Sequence, residues 1–149
     1  MADTIRRSCI DCAVTRCDHH TSNKPHPAFC VSQSLSEEER QASLARYRND
    51  PEDAKIAQVS AGVEADGYRK WPRVHETIVF AKRMGYHKIG IASCVGLMPE
   101  TRIFTKILKA LGIEYYTVGC KLGAVDKTVI GIPNEKKLNG GCGHESMCN

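Results

Sequence analysis

Several familiar kinds of chemistry are missing from this chain of 149 residues. No apolar run approaches the ~18 residues needed to span a bilayer. The N-terminus, MADTIRRSCIDCAVTRC, has charges and cysteines but lacks the apolar core of a secretory signal. The expectation is a soluble, cytoplasmic protein with no membrane contact. There is no Walker-type loop, and neither GVEADG nor IGIASCVG has the G-x-G-x-x-G spacing of a dinucleotide fingerprint. His-Glu occurs at His75-Glu76 and His144-Glu145 without the second histidine of a zincin. No internal repeat or low-complexity tract is present.

Charge of one sign is also scarce. Lys and Arg number 21 against 17 Asp and Glu, a net +4 with His neutral. The basic residues are scattered through KRMGYHK, TKILK and NEKK rather than gathered into a stripe. That pattern predicts a solvated surface and not a nucleic-acid interface.

Cysteine is plentiful, and its layout is uneven. Of the 8 cysteines, Cys9, Cys12, Cys17 and Cys30 follow the pattern C-x2-C-x4-C-x12-C. The others are Cys94, Cys120, Cys142 and Cys148, and none lies between Cys30 and Cys94. A reducing cytosol keeps such thiols free or metal-bound, so disulfides are not expected. Thiolates are soft ligands that select zinc, copper(I) or iron–sulfur clusters. The bipartite layout predicts two separate thiolate sites.

Residues 1–33 carry no helical or strand period. They hold cysteines, histidines and prolines, with too little apolar surface to fold alone. A metal clip would order them. Cys9, Cys12, Cys17 and Cys30 suit either a closed zinc site or a [4Fe–4S] cluster, and the spacing does not decide. His19, His20 and His26 read as exposed loop histidines, with a ligand role as the alternative.

Residues 34–149 read as an α/β core. Ser36 and Glu39 form a capping box. Asp50 caps a second helix with Pro51 at its first position, and Gly67 is its stop. A third helix starts near Arg73 and ends at Gly85. KIGIAS (88–93) reads as a buried strand. Pro99 opens another helix, closed by Gly112, and IEYYTV (113–118) is the next strand. Strand, helix and strand make a βαβ unit, whose two strands should be parallel and whose crossover should be right-handed. KTVIGI (127–132) is a candidate third strand. The expected architecture is thus a small parallel sheet preceded by helices and an irregular Cys-rich segment.

In open α/β sheets, ligands bind beyond the carboxyl ends of the strands. Cys94 and Cys120 directly follow the two strands, so both are expected at one edge, roughly 5 Å apart if the strands pair. Gly96 and Gly119 lie beside them, where glycine lets the backbone approach a bulky ligand. Cys148 is the third expected ligand, ahead of Cys142. No catalytic residue is identified.

At IGIASCVGLMPE, YYTVGCKLGAVDKTVIGIP and HESMCN the chain resembles the cysteine-rich bacterial and archaeal family called domain of unknown function 1847, whose members carry the label of metal-binding proteins. The resemblance includes the N-terminal C-x2-C and HETIVFAKRMGYHKIGIASC, and so covers nearly the whole chain. It implies that Cys9, Cys12, Cys17, Cys30, Cys94, Cys120 and Cys148 are family cysteines and that Cys142 is not. Family members of this type continue past HESMCN with further strands and another cysteine. Asn149 therefore implies either a short form or a truncated chain, with the fourth ligand of the core site left open.

Three functions compete. The first is an iron–sulfur protein whose core [4Fe–4S] cluster is open for redox or sulfur chemistry, with a redox partner or a small-molecule ligand. The second is a zinc-binding structural or regulatory module without catalysis. The third, a thiol redox protein using Cys94 and Cys120, is weakened by the lack of a core C-x-x-C at a helix N-terminus.

Overall fold

The structure, a computed structural model, describes residues 7–18 and 23–149. It is a small α/β fold, and it divides into two compact units, Met1–Ala57 and Gln58–Asn149.

The first unit holds the N-terminal cysteines and two helices. A 3₁₀ turn covers Cys9–Asp11, where the Asp11 carboxylate accepts from the Ser8 N–H at 2.8 Å. Helix α1 (Val31–Ser34) is a single turn that begins just after Cys30. The sequence reading has no helix there, because four residues are too few to set a period. Helix α2 (Glu37–Asn49) opens on the expected capping box. Ser36 Oγ accepts from the Glu39 N–H at 3.1 Å, and the Glu39 carboxylate accepts from the Ser36 N–H at 2.9 Å. The Ser36 N–H bond is the main cause that holds the Glu39 carboxyl below its ordinary range. Helix α3 (Pro51–Gly67) starts as read, with Asp50 Oδ1 accepting from the N–H groups of Glu52 and Asp53 at 2.8 and 3.2 Å. The boundary between the units falls within it.

The second unit carries the sheet. Helix α4 (Arg73–Met84) ends on Gly85, whose φ of 81° is the left-handed cap that glycine adopts without penalty. Strand β1 (Lys88–Ser93) follows, then helix α5 (Met98–Ala110) and strand β2 (Glu114–Gly119). The strands pair in parallel from Lys88 against Glu114 to Ser93 against Gly119. Burial alternates along β1, so Ile89 and Ile91 share one face. That face packs on a core of Ile78 from α4, Leu108 from α5 and Ile113, with Phe104 beside them. Leu108 is fully buried.

The proposed third strand does not form. Residues Lys127–Ile130 are a 3₁₀ turn, and the sheet has two strands among the described residues. Two local features override the β-branched run in KTVIGI. Asp126 caps the turn by accepting from the Thr128 N–H, and Gly131 ends it at φ 84°. No helix among the described residues is long and apolar enough to cross a membrane.

Candidate functional site

The two strands end side by side, and the ladder runs one residue further. The Cys120 N–H donates to the Ser93 carbonyl at 2.9 Å. Cys94 and Cys120 are therefore the first residues beyond the same edge, one from each strand. Parallel pairing is what puts both there, since antiparallel strands would send them to opposite ends. After Cys94 the chain makes a 3₁₀ turn, Val95–Leu97, that leads into α5. A Cβ at Gly119 would stand 3.0 Å from Met98 Cε and 3.4 Å from Val95 Cγ1, so glycine there lets this turn close over the end of β2. Gly96 stands next to Cys94, with the Cys94 sulfur 3.7 Å from the position of its missing Cβ.

The third thiol comes from the far side of a folded loop. Asp126 is its hub. Its carboxylate accepts from the Thr128 N–H at 2.9 Å, the Thr128 hydroxyl at 2.7 Å and the Glu145 N–H at 2.8 Å. It also pairs with the ammonium of Lys137 at 2.9 Å, a side chain only 4% exposed. Lys137 donates as well to the Gly143 carbonyl at 3.2 Å. The Lys127 ammonium pairs with the Glu145 carboxylate, and the Lys127 N–H donates to the Glu145 carbonyl at 3.0 Å. Beyond this clamp, the Met147 N–H donates to Val125 O and the Asn149 N–H to Cys120 O, both at 2.9 Å. Cys148 sits between those two bonds and is laid back beside Cys120.

Electrostatics follow this geometry. The Thr128 N–H, then the Lys137 ammonium and the Glu145 N–H, hold the Asp126 carboxyl well below the usual carboxylate range. Lys127 does the same, less strongly, for Glu145. At Cys120 the largest influence is the Val95 N–H, which is directed at the sulfur and favours thiolate. Removal from water and hydrogen bonds shared with Cys148 and Cys94 outweigh it together and push the thiol up. The Cys94 and Cys148 thiols beside the Cys120 sulfur disfavour its charged form unless a cation joins them.

Cys94, Cys120 and Cys148 line one cavity of about 450 Å³, with Ala92, Val118 and Leu122 forming apolar wall. Gly119 lines it too, while Gly96 does not. Cys142 is exposed and lines neither this cavity nor the N-terminal one. Spacing alone pointed to the three cysteines. It did not point to Asp126, Lys137 and Glu145, which bring Cys148 home. The available signal is Asp126 two residues before Thr128, a capping pattern that competes with the strand reading of the following run.

In the first unit Cys9, Cys12, Cys17 and Cys30 line a smaller cavity of about 90 Å³, together with Arg16 and His26. His26 Nδ1 lies 3.5 Å from the Cys30 sulfur, so this histidine stands closer to the thiols than a free loop residue would. His19 and His20 lie outside the described residues.

Among the described residues, no three His, Cys, Asp or Glu side chains converge closely enough to hold a metal ion as they stand. Each thiol set shares a cavity rather than a finished ligand geometry. The donor chemistry nonetheless fits a soft metal in both places. The core offers three sulfurs and a backbone N–H directed at one of them. The N-terminal cavity offers four sulfurs and one imidazole.

Comparison with known proteins names no chemistry. The chain is 45% identical over 109 residues to an uncharacterized protein of Methanocaldococcus jannaschii. The match takes in 73% of this chain and 53% of the relative, so the chain spans about half the length of the curated relative it matches. No solved structure matches it. The family described as proteins of unknown function, DUF1847, matches residues 30–149, from the last N-terminal cysteine through the whole core site. The chain belongs to that family.

Proposed function

We propose that this protein binds metal at two cysteine sites, and that the core site is an iron–sulfur centre with one open position for redox or small-molecule chemistry. One observation carries the reading. Cys94, Cys120 and Cys148, far apart in sequence, line a single cavity at the carboxyl edge of a parallel sheet. Three thiolates hold a [4Fe–4S] cluster one ligand short of the four cysteines of a closed site. When bound, such a cluster would supply a Lewis-acidic iron or an electron relay. The protein's own part is to hold the sulfurs and direct the Val95 N–H at Cys120. A redox partner or a small-molecule ligand would then meet the open edge.

A second reading applies to the N-terminal set. Its cavity of about 90 Å³ favours a single tetrahedral ion over a cluster. There the metal would be a structural zinc that orders the segment around Cys9–Cys30, with no part in catalysis. Zinc at both sites would make the whole chain a structural or regulatory module.

Anaerobic preparation separates these outcomes. The protein should be brown and carry iron and sulfide, and the colour should survive Cys9→Ser/Cys12→Ser but not Cys120→Ser. Colourless protein with stoichiometric zinc and no sulfide defeats the iron–sulfur reading.

A further inference from the structure

The four N-terminal cysteines are carried by different turns, and the turns make them unequal. In the 3₁₀ turn Cys9–Asp11 the Cys12 N–H donates to the Cys9 carbonyl at 3.1 Å. Those two thiols leave the chain three residues apart, the spacing at which a 3₁₀ turn stacks its side chains. A second turn lies further on, where the Cys30 N–H donates to the Pro27 carbonyl at 2.9 Å. It brings His26 back to Cys30, with Nδ1 at 3.5 Å from the sulfur. His26 is half-buried and lines the same cavity as Cys9, Cys12 and Cys30. Cys17 also borders that cavity but belongs to neither pair. It is exposed, in a separate turn closed by the Asp18 N–H on the Thr15 carbonyl at 3.0 Å.

We propose that the N-terminal site holds a single zinc ion through Cys9, Cys12, His26 and Cys30, with Cys17 left as a free thiol beside it. This deepens the second reading given above for this cysteine set and rests on it. The spacing is the first support. C-x2-C-x13-H-x3-C has the zinc-finger order of a C-x2-C pair, a gap of about 12–15 residues and a second pair begun by histidine, here with cysteine in the last place. Cys17 and Cys30 stand twelve residues apart and make no chelating pair. Distance is the second support. Zn–S of about 2.3 Å and Zn–N of about 2.0–2.1 Å at a tetrahedral angle put a nitrogen and a sulfur ligand about 3.5 Å apart. His26 Nδ1 already stands at that separation from Cys30, where a thiol–imidazole hydrogen bond holds the pair without metal. Charge is the third. Zinc(II) with three thiolates carries one negative charge, and Arg16 in the cavity lining supplies one positive charge. Four thiolates would leave a second charge unmatched. The two pairs share a cavity of about 90 Å³ without yet meeting. Binding therefore draws one turn toward the other and releases three thiol protons to water.

The test loads the full chain with zinc and alkylates it with iodoacetamide, alongside metal-free protein. Rates are read at each cysteine by mass spectrometry. Cys142, exposed and outside both cavities, is the internal standard. Zinc should slow Cys9, Cys12 and Cys30 by about tenfold or more, because a metal-bound thiolate is no longer a free nucleophile. Cys17 should keep its metal-free rate to within about twofold. Cys17→Ser should leave the other three protected. His26→Ala should abolish that protection, and His26→Cys should restore it, as replacement of one ligand by another does and loss of a merely structural contact does not. Protection of Cys17 along with the other three overturns the proposal in favour of a four-cysteine site, and this wild-type pattern decides even if the His26 variants fail to fold. Protection that survives His26→Ala overturns it too. So do iron and sulfide that anaerobic protein loses on Cys9→Ser/Cys12→Ser. Equal rates at all four cysteines with and without zinc defeat the metal reading of this segment itself, and the proposal with it.

Discussion

At the scale of single residues, Asp126 matters most among those that are not cysteines. It ties the turn at Thr128, the buried ammonium of Lys137 and the backbone at Glu145 into one knot. Asp126→Asn keeps the shape but removes the charge. We expect Cys148 to lose its place beside Cys120. A bridging dithiol reagent such as phenylarsine oxide should then cross-link that pair less well, while circular dichroism stays unchanged. The pH dependence follows from the sign of the shift. The folded protein holds this carboxyl below its ordinary value of 3.8. Its stabilisation is therefore complete above that value and is lost as pH falls below it. Thermal melts of the wild type should fall as pH drops from about 4 toward 2, whereas Asp126→Asn should start lower and fall less. Identical slopes in the two proteins would mean that Asp126 does not hold the loop. Gly67 is a second sensitive position. A Cβ there would come within 2.5 Å of the Trp71 ring. Gly67→Ala should cost about 1–3 kcal/mol of unfolding free energy by overpacking, measurable by urea titration. A change below about 0.5 kcal/mol would show that Trp71 gives way.

At the scale of elements, the sequence was most readable where local chemistry and tertiary structure agree. Ser36 with Glu39, Asp50 with Pro51, and Gly85 all mark helix ends where the structure has them. KIGIAS and EYYTVG form the parallel pair, so the placement of Cys94 and Cys120 at one edge followed from the strands alone. The loop after Cys120 was not readable. Its fold depends on ion pairs between residues distant in sequence, Asp126 with Lys137 and Lys127 with Glu145, and no periodicity announces such pairs. The run at 127–132 misled because β-branched residues in a short stretch look like strand whatever caps them. The single turn Val31–Ser34 was too short for a pattern. The N-terminal cysteine segment has mostly irregular backbone, so its order should depend on its thiols. Cys9→Ser/Cys12→Ser should lose the N-terminal metal and increase protease cleavage before Val31, with the thermal transition of the βαβ core retained. Unfolding of both units together would refute that independence.

For the whole molecule, the sheet is thin for its type. Parallel strands usually have both faces covered. Here β1 and β2 are the sheet among the described residues, and Tyr115 and Tyr116 are 39% and 67% exposed on opposite faces of β2. The chain spans 53% of the archaeal relative's length. The apolar burial that does exist comes from α3, α4, α5 and the residue before β2. Leu108, Ile78 and Ile113 form the buried core of the second unit, with Ile89 and Ile91 of β1 packed against it.

The order of the three thiols along the chain sets an order in time. As the polypeptide leaves the ribosome, β1 and α5 emerge first, and β2 can pair with β1 as soon as Gly119 is free. Cys94 and Cys120 are then neighbours before the loop that carries Cys148 is free to fold. If the core site binds a soft metal as proposed, the nascent site is a bidentate pair that would hold it weakly. The knot at Asp126, Lys137 and Glu145 must close before Cys148 can join. Under that proposal, tight retention would begin only when this knot closes, and a wrong ion captured earlier would still exchange.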